Sequence, residues 1–286
     1  MKNKRIGVIL MTYGSPKTLA DIPQYLKNIH GSPLIHITQE QAAALQKELH
    51  KQNNNYHFYV KAGMRFSQPF IAEVIQEIAD HIEYIIGIIM SPQYSPIIMS
   101  GYIHSVENAV KMLHHKKIHY TIAKDWHMQL YFIQALTERV QEALHRFPPD
   151  IRKHISVLFS AHSMPKRVID KDPDYINQLK ETAAAVAQQA GLPTSRWMFC
   201  YQSAGHTPEE WLKPDFADIM PQLNAKGQKH ILIAPVQFLS DHLEILYDID
   251  IAAREQAEKY GIQFARITSL NISPVFIKAL AAVVKN

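Results

Sequence analysis

The sequence predicts an α/β protein built from two doubly wound domains, each with a parallel sheet flanked by helices. Two observations lead to this class. Short, nearly continuous apolar runs rich in Ile, Val, Phe and Tyr recur along the chain, and segments with helical spacing separate them. Strands that are apolar on both faces are typical of parallel sheets, because helices cover both sides, whereas antiparallel strands commonly alternate apolar and polar residues.

Eight apolar runs are the predicted strands, and they fall into two sets of four. In chain order they are RIGVILMTYG, HFYVKAGMR, YIIGIIMSPQYS and HYTIAKDW, then HISVLFSAHS, WMFCYQSAG, HILIAPVQFLSDH and IQFARITSLN.

Capping residues give the expected bounds of two helices between these strands. TQEQAAALQKEL opens at Thr38 and carries Gln41 three residues later, which is the pattern of a capping box. DYINQLKETAAAVAQQAG begins at Asp174 and stops at Gly191, since glycine is favoured just after a helix ends.

The division between the two sets lies near Trp126 to Leu130. We therefore expect an N-terminal domain of residues 1–126 and a C-terminal domain of residues 127–271. The last helix, within 272–286, is expected to pack back on the first domain. No sequence repeat proves a duplication.

Composition excludes several classes of protein. The chain has 286 residues, of which 47% are hydrophobic, so a disordered or fibrous protein is excluded. No apolar run is long enough for a transmembrane helix, and the basic start leads into Tyr13 and Gly14 without a cleavage site, so the expected location is the cytoplasm, with contact to a membrane surface left open. The single cysteine, Cys200, excludes an internal disulfide and any cysteine-based cluster. The net charge of +4 is scattered along the chain, which argues against nucleic acid as a partner.

Ligands of open α/β sheets bind beyond the carboxyl ends of the strands, so the residues at those ends are the candidates for a site. Neither GxxxxGK[ST] nor GxGxxG occurs there, and a nucleotide cofactor is therefore not expected. The strand ends carry Tyr13, Arg65, PQYS (92–95), AHS around His162, YQSAG (201–205) and SDHLE (240–244).

The sequence allows three interpretations of His162. This residue is a loop histidine with an ordinary hydrogen bond, a partner of Ser160 or Ser163 in a serine hydrolase, or a group that acts on a ligand in the cleft. The hydrolase reading is the weakest, because adjacent residues rarely face each other and no GxSxG motif is present.

The run DHLEILYDID starts a helix in which Asp241 is a candidate N-cap. Glu244 and Asp248 lie four residues apart on one face, and Ala252 interrupts this acidic line. Two such carboxylates bind a hydrated cation, relay protons, or form only a solvated helix face. Together with His162 and the strand-end tyrosines they suit a divalent metal and proton transfer, and spacing alone leads no further.

Eight motifs, in order along nearly the whole chain, resemble the ferrochelatase family: MTYGSP, GSPL, GMRF, PQYS, SAHSMP, YQSAG with WLKPD, FLSDHLEILYDID, and LN with FIKALA. The resemblance implies two Rossmann-like domains of the type II chelatase kind with a porphyrin cleft between them. It also implies insertion of Fe²⁺ into a porphyrin, with iron as a substrate and no organic cofactor.

The tyrosine of MTYG, Tyr13, is similar to that of the coproporphyrin III ferrochelatases of Gram-positive bacteria. The implied product is the iron complex of coproporphyrin III, which would pass to a coproheme decarboxylase in haem synthesis. A protoporphyrin IX ferrochelatase is the nearer alternative, and a porphyrin or haem carrier is the alternative from a different class. A monomer is expected.

Carried over by residue, the resemblance makes His162 and Glu244 the catalytic pair and the metal-binding residues. Tyr13 is implied as an axial ligand of the product iron. Ser32 and Tyr102 match positions that contact the substrate's propionates. Asp248 would hold a second divalent cation in an outer site, weakened because Ala252 stands where relatives can have an acidic residue.

One departure from the family is a shortened segment between Ile29 and Ser32, which leaves His30 as the nearby cationic partner for a propionate. The carrier alternative rests on this shortening. The cobalt chelatases of corrin synthesis share the fold but have a histidine-rich site, and DHLE with a single cleft histidine, His162, fits them poorly.

Overall fold

The computed structural model describes residues 4–14, 32–52, 55–114, 116–204 and 208–285. The chain divides into two compact units, Met1–Tyr131 with Asn271–Asn286 and Phe132–Leu270. The expected domain boundary, between residues 126 and 127, lies five residues before the end of the first segment of the first unit.

The first unit is built on a sheet of four parallel strands with the order β2-β1-β3-β4. The strands are β1 (Lys4–Thr12), β2 (Tyr56–Met64), β3 (Tyr84–Ile89) and β4 (His119–Ala123). Each coincides with one of the first four apolar runs, so the prediction of parallel strands from these runs is confirmed.

Three helices connect these strands in the described residues: α1 (Leu34–Gln52), α2 (Ile71–Ile78), which continues into a 3₁₀ turn (Ala79–His81), and α3 (Pro96–Met112). The apolar positions of α2 recur with helical spacing at Ile71, Val74, Ile75 and Ile78, and all four are buried in the core beside β1 and β3.

The expected start of α1 at Thr38 is wrong, because the helix begins at Leu34. Thr38 lies inside the helix, where its hydroxyl donates a 2.7 Å hydrogen bond to the Leu34 carbonyl. Gln41 is buried, and its amide donates to the carbonyl of Asn271 at 2.8 Å. Both side chains therefore form hydrogen bonds within the folded unit, and the capping pattern does not predict these bonds.

The second unit repeats the same arrangement, with four parallel strands in the order β6-β5-β7-β8. The strands are β5 (Ser156–His162), β6 (Trp197–Gln202), β7 (His230–Pro235) and β8 (Gln263–Arg266). These are the last four predicted runs. Residues 157–161 of β5 are fully buried, as expected for a strand covered on both faces.

The helices of the second unit follow in chain order. They are α4 (Leu130–His145), α5 (Pro149–Arg152), α6 (Lys166–Ile169), α7 (Pro173–Gln189), a 3₁₀ turn (Thr194–Arg196), α8 (Phe216–Ala225), a π-helix (Ile245–Ala253) and α9 (Arg254–Lys259). The predicted bounds of α7 hold to within a residue or two, with Gly191 in the left-handed region at φ 70°.

The last helix, α10 (Pro274–Lys285), belongs to the first unit. It packs against α1 and β3, and the ring of Phe276 stacks on Trp126 at a centroid distance of 6.4 Å. Within the described part of the chain, no helix combines the length and apolar composition needed to cross a membrane.

Both sheets have a topological switch point, because the chain runs from the first strand of each unit to one side and then returns to the other side. In the first unit this point lies between β1 and β3, and in the second between β5 and β7. Loops diverge there and leave room for a ligand beyond the strand ends. Tyr13 directly follows β1, and His162 is the last residue of β5.

Candidate active site

Backbone and side-chain hydrogen bonds fix the end of β5. The His162 N–H donates to the side-chain oxygen of Gln237, which follows β7, at 3.0 Å. The Ser163 N–H donates to the carbonyl of Gln202, the last residue of β6, at 2.7 Å. The amide nitrogen of Gln237 donates in turn to the phenol oxygen of Tyr175, a fully buried side chain whose pKa burial raises. The carboxyl ends of three strands thus hold His162 from both sides.

The imidazole of His162 is oriented by its own neighbour. Its Nδ1 contacts the carbonyl oxygen of Ser163, and a carbonyl only accepts hydrogen bonds, so Nδ1 carries the hydrogen in the neutral ring. Nε2 therefore has a free lone pair. It lies 3.7 Å from Oε2 of Glu244, at ion-pair distance once the ring is protonated.

A second histidine has the same arrangement. Nδ1 of His242 lies 3.0 Å from the carbonyl oxygen of Ser240, and its Nε2 lies 3.7 Å from the same Oε2 of Glu244. Two imidazoles thus direct their Nε2 atoms to one carboxylate oxygen. The ring of Phe238 contacts both edge-on, at centroid distances of 6.3 Å to His162 and 4.5 Å to His242, and adds an apolar wall.

The two histidines control the protonation of Glu244. Partial burial alone would raise its pKa, but the neighbouring imidazoles of His242 and His162 outweigh this effect and hold the pKa below its usual value. The Glu244 side chain remains 48% exposed. It is therefore an ionised group that a ligand or proton can reach from solvent at neutral pH.

Asp248 lies one turn further along, in the π-helix, and its pKa is shifted the opposite way. Burial raises the pKa, the negative charge of Glu244 adds to the rise, and a hydrogen bond from Ser203 opposes it. Ser203 follows β6 with φ 60°, a conformation that costs a non-glycine residue about 1–3 kcal/mol and is concentrated at functional sites.

The helix after β7 differs from the expected α-helix, since Ile245–Ala253 is a π-helix. π-helical segments are rare and occur frequently at functional sites. Glu244 and Asp248 nevertheless lie close enough for the negative charge of Glu244 to raise the pKa of Asp248.

In the first unit, Tyr13 follows β1 and is 65% exposed. Its ring lies 4.6 Å from the ring of Phe66, and its carbonyl accepts a hydrogen bond from the Phe66 N–H at 3.0 Å. The guanidinium of Arg65 lies 4.6 Å from the Phe66 ring and 5.3 Å from the Tyr102 ring. The described contacts here are thus between aromatic rings and the Arg65 guanidinium.

Tyr102 is buried, with 7% exposure, and desolvation raises its pKa to about 12 despite the opposing charge of Arg65. Its hydroxyl therefore stays neutral. Among the residues that the structure describes, the N–H groups of Arg65 reach no acceptor, although the guanidinium is only half-buried. A guanidinium without an acceptor among the described residues is suited to a carboxylate ligand.

Similar proteins cover almost the whole chain. The sequence profile of the ferrochelatase family matches residues 29–286. A ferrochelatase of Deinococcus radiodurans is 36% identical over 305 residues, which cover 99% of this chain and 96% of the relative. A coproporphyrin III ferrochelatase of Geobacillus kaustophilus is 34% identical over 308 residues, with 99% and 96% covered.

The chain belongs to the ferrochelatase family.

Members of this family are metal chelatases, so the predicted enzyme class is confirmed. Solved chelatases share the fold of this ferrochelatase-family chain: SirB from Bacillus subtilis with Fe³⁺ has a TM-score of 0.64 at 12% identity, covering 99% of this chain and 94% of SirB. At that identity the likeness shows the fold alone, and it confirms the predicted class of two parallel α/β sheets flanked by helices.

The alignment with the D. radiodurans ferrochelatase is longer than the 286 residues of this chain, so the relative has segments without a counterpart here. The expected shortening between Ile29 and Ser32, together with His30, falls largely outside the described residues and stays a prediction. Ser32 itself is described, and its hydroxyl accepts a hydrogen bond from the Leu34 N–H at 3.4 Å, just before α1.

Sequence reasoning found His162, Glu244 and Asp248, and the structure brings these three together. The sequence analysis missed His242, although this residue stands inside the DHLE motif. The expectation of a single histidine is therefore wrong for this ferrochelatase, and the argument against histidine-rich chelatases that rested on it no longer holds. Tyr13 and Tyr102 lie in the first unit near Phe66 and Arg65.

No group of three or more His, Cys, Asp or Glu side chains among the described residues is arranged to hold a metal ion. His162, His242 and Glu244 lie near one another but do not form such a group in the described part of the chain.

Proposed function

We propose that this chain inserts Fe²⁺ into coproporphyrin III and releases two protons. Each of the two pyrrole N–H groups of the free porphyrin loses its proton, and the four nitrogens then bind the iron. Charge balances because one divalent cation replaces two protons. The family membership supports the reaction class, and the His162–Glu244–His242 cluster carries the assignment of residues.

His162 is the proposed acceptor of a pyrrole proton. Its Nδ1 hydrogen is committed to the Ser163 carbonyl, so the lone pair on Nε2 is available for a proton. Glu244, ionised and 3.7 Å from Nε2, stabilises the imidazolium that forms. His242, whose Nε2 also lies 3.7 Å from Glu244, helps to hold the pKa of Glu244 below its usual value.

Asp248 is the proposed next group outward from Glu244. Its raised pKa allows it to take up a proton at a higher pH than an ordinary aspartate does, which suits a relay toward solvent. Alternatively, Asp248 binds a second divalent cation. Ala252, one turn further along, provides no ligand, so such a site has few protein ligands. A metal titration monitored at Asp248 separates these two roles.

The first unit supplies the remaining contacts in this proposal. Tyr13, exposed at the end of β1, is the axial oxygen ligand of the product iron. Ser32, Tyr102 and His30 are the partners of the propionates carried over from the family pattern. Arg65 joins them, because its guanidinium is half-buried between two rings and free of described acceptors.

The choice of coproporphyrin III rests on the relatives and on Tyr13. Coproporphyrin III ferrochelatases of Geobacillus kaustophilus and Geobacillus thermodenitrificans are 34% and 33% identical to this chain. The D. radiodurans relative, at 36%, is named only ferrochelatase, so protoporphyrin IX is the competing substrate. With coproporphyrin III the product would pass to a decarboxylase, and we place the reaction in the cytoplasm.

The test is an anaerobic absorbance assay with Fe²⁺ and either coproporphyrin III or protoporphyrin IX, run beside a His162→Ala variant. We expect His162-dependent conversion of coproporphyrin III with a kcat/KM at least tenfold above that for protoporphyrin IX. The reverse preference would replace the substrate while keeping the reaction. Tight binding of both porphyrins without conversion by the wild-type protein would refute the enzyme and favour a carrier.

A further inference from the structure

Arg266, at the end of β8, makes hydrogen bonds to two separate carboxylates. Its Nε and Nη2 donate to the two oxygens of Asp250 at 2.8 Å each, a bidentate pair. Its Nη1 donates to Oδ1 of Asp241 at 3.2 Å. Ser269 completes the cluster, since its hydroxyl donates to the same Asp241 oxygen at 2.7 Å. The Arg266 side chain is only 15% exposed.

The two carboxylates stand at opposite ends of the catalytic segment. Asp241 directly precedes His242, and Asp250 lies in the π-helix two residues after Asp248. One guanidinium therefore closes residues 241–250 into a ring that contains His242, Glu244 and Asp248.

We propose that Arg266 is a positioning residue for metal insertion, which holds residues 241–250 so that the His242 and Glu244 side chains meet. This inference rests on the proposed function, because the insertion rate is its functional readout. A planar guanidinium can satisfy Asp250 with two bonds and still reach Asp241 with a third N–H. A lysine ammonium is a point charge and cannot reproduce this geometry.

Arg254 provides a matched control from the same neighbourhood. Its Nε donates to the backbone carbonyl of Asp250 at 3.0 Å, and its guanidinium lies over the ring of Phe264 at 4.8 Å. No contact joins it to Asp241 within the part of the chain that the structure describes. Arg254→Gln removes the same charge as Arg266→Gln from nearly the same place but leaves the closed segment intact.

The kinetic experiment compares Arg266→Gln, Arg266→Lys and Arg254→Gln in the full chain. We expect Arg266→Gln to lower kcat on the order of 10–100-fold, with the KM for porphyrin changed less than about threefold, because misplaced catalytic groups reduce the rate more than binding. Arg266→Lys should recover part of this loss. Arg254→Gln should match the wild type.

A second readout is independent of activity: the imidazole ¹⁵N signals of the apo protein. In the wild type both His162 and His242 should show the hydrogen on Nδ1, as their carbonyl contacts require. Arg266→Gln should shift the His242 signals toward a mixture of tautomers and leave those of His162 unchanged, because His162 is held by β5. His162 is thus an internal control for global unfolding.

The inference is overturned if folded Arg266→Gln keeps wild-type kcat, or if its kcat falls while the His242 signals stay unchanged. If Arg266→Gln does not fold, Asp250→Asn replaces it, because this change weakens only the contact of Arg266 with Asp250 and keeps the one with Asp241. Wild-type kcat in this variant, or a lower kcat with unchanged His242 signals, would likewise overturn the inference. A wild-type protein that metallates no porphyrin would refute the proposed function. The His242 signals would still show whether Arg266 positions the segment.

Discussion

Replacing Glu244 by Gln tests the role of the carboxylate at the centre of the site. The substitution keeps the size of the side chain and one accepting oxygen, replaces the other oxygen by an NH₂ donor, and removes the charge. In the wild type, one carboxylate oxygen lies 3.7 Å from Nε2 of His162 and 3.7 Å from Nε2 of His242. A proton taken up by either ring therefore forms next to a negative charge, which the variant lacks.

The expected size of the effect follows from this distance. Two unit charges 3.7 Å apart attract each other by about 1 kcal/mol at the dielectric constant of water and by about 4.5 kcal/mol at an effective value near 20. Glu244 is about half exposed, so the lower part of this range applies, roughly 1–2 kcal/mol. Since about 1.4 kcal/mol corresponds to a factor of ten, kcat should fall about 5–30-fold.

The assay is anaerobic insertion of Fe²⁺ into coproporphyrin III, with Zn²⁺ as a second metal that has no redox chemistry. The porphyrin KM should change little, because the charge acts on the proton transfer. Glu255→Gln is the control, an exposed glutamate in α9 whose neutralisation should leave kcat unchanged. The loss should shrink at high salt, which screens partly exposed charges. A folded Glu244→Gln variant with kcat within twofold of the wild type would refute the assigned role.

Three further predictions concern single side chains. His242→Asn should raise the pKa of Glu244, measured by ¹³C NMR of the carboxyl, because partial burial remains while the imidazole that lowers the pKa is lost. A depressed carboxyl pKa stabilises the fold at pH values above the pKa of the unfolded state, so this variant should lose stability at neutral pH and match the wild type in acid. An unchanged Glu244 titration would contradict this. Ser203→Ala should raise the already elevated pKa of Asp248 further, since it removes a hydrogen bond to the carboxylate, and a fall would be the contrary result. Arg65→Gln should raise the KM for coproporphyrin III about tenfold or more with a smaller change in kcat, as expected when a charge-assisted hydrogen bond is lost. The control is Arg5→Gln, which removes an exposed ion pair with Glu83 and should leave the KM unchanged. An equal KM for both variants would exclude Arg65 from porphyrin binding.

The strand ends were predictable because one physical rule governs them. A parallel strand covered on both faces is read as a continuous apolar run, and the first polar residue after the run marks its carboxyl end. This rule identified all eight strands and placed His162 at the end of β5 and Tyr13 after β1. The acidic pair Glu244 and Asp248 followed from helical spacing, which the π-helix alters only in detail.

His242 and Arg266 were not predictable by the same rules. His242 lies two residues before Glu244, outside the regular helix, so its side-chain direction depends on the loop and on its contact with the Ser240 carbonyl. The partners of Arg266 are 25 and 16 residues away along the chain, on different elements, and only the folded sheet edge brings them together. The predicted start of α1 was wrong for a related reason: the Thr38 hydroxyl forms a hydrogen bond within the helix and does not cap it.

The two units share one topology but carry different side chains at equivalent strand ends. Each unit has its first strand beside the switch point, and that strand ends at Thr12 followed by Tyr13 in one unit and at His162 in the other. Tyr13 has aromatic and cationic neighbours and no carboxylate in described contact, which suits an apolar, anionic ligand. His162 has Glu244 at ion-pair distance and Asp248 beyond it, which suits protons. The same topology therefore carries an aromatic and cationic strand end in one unit and an acid–base strand end in the other, because the topology fixes where a strand ends but not which side chains stand there.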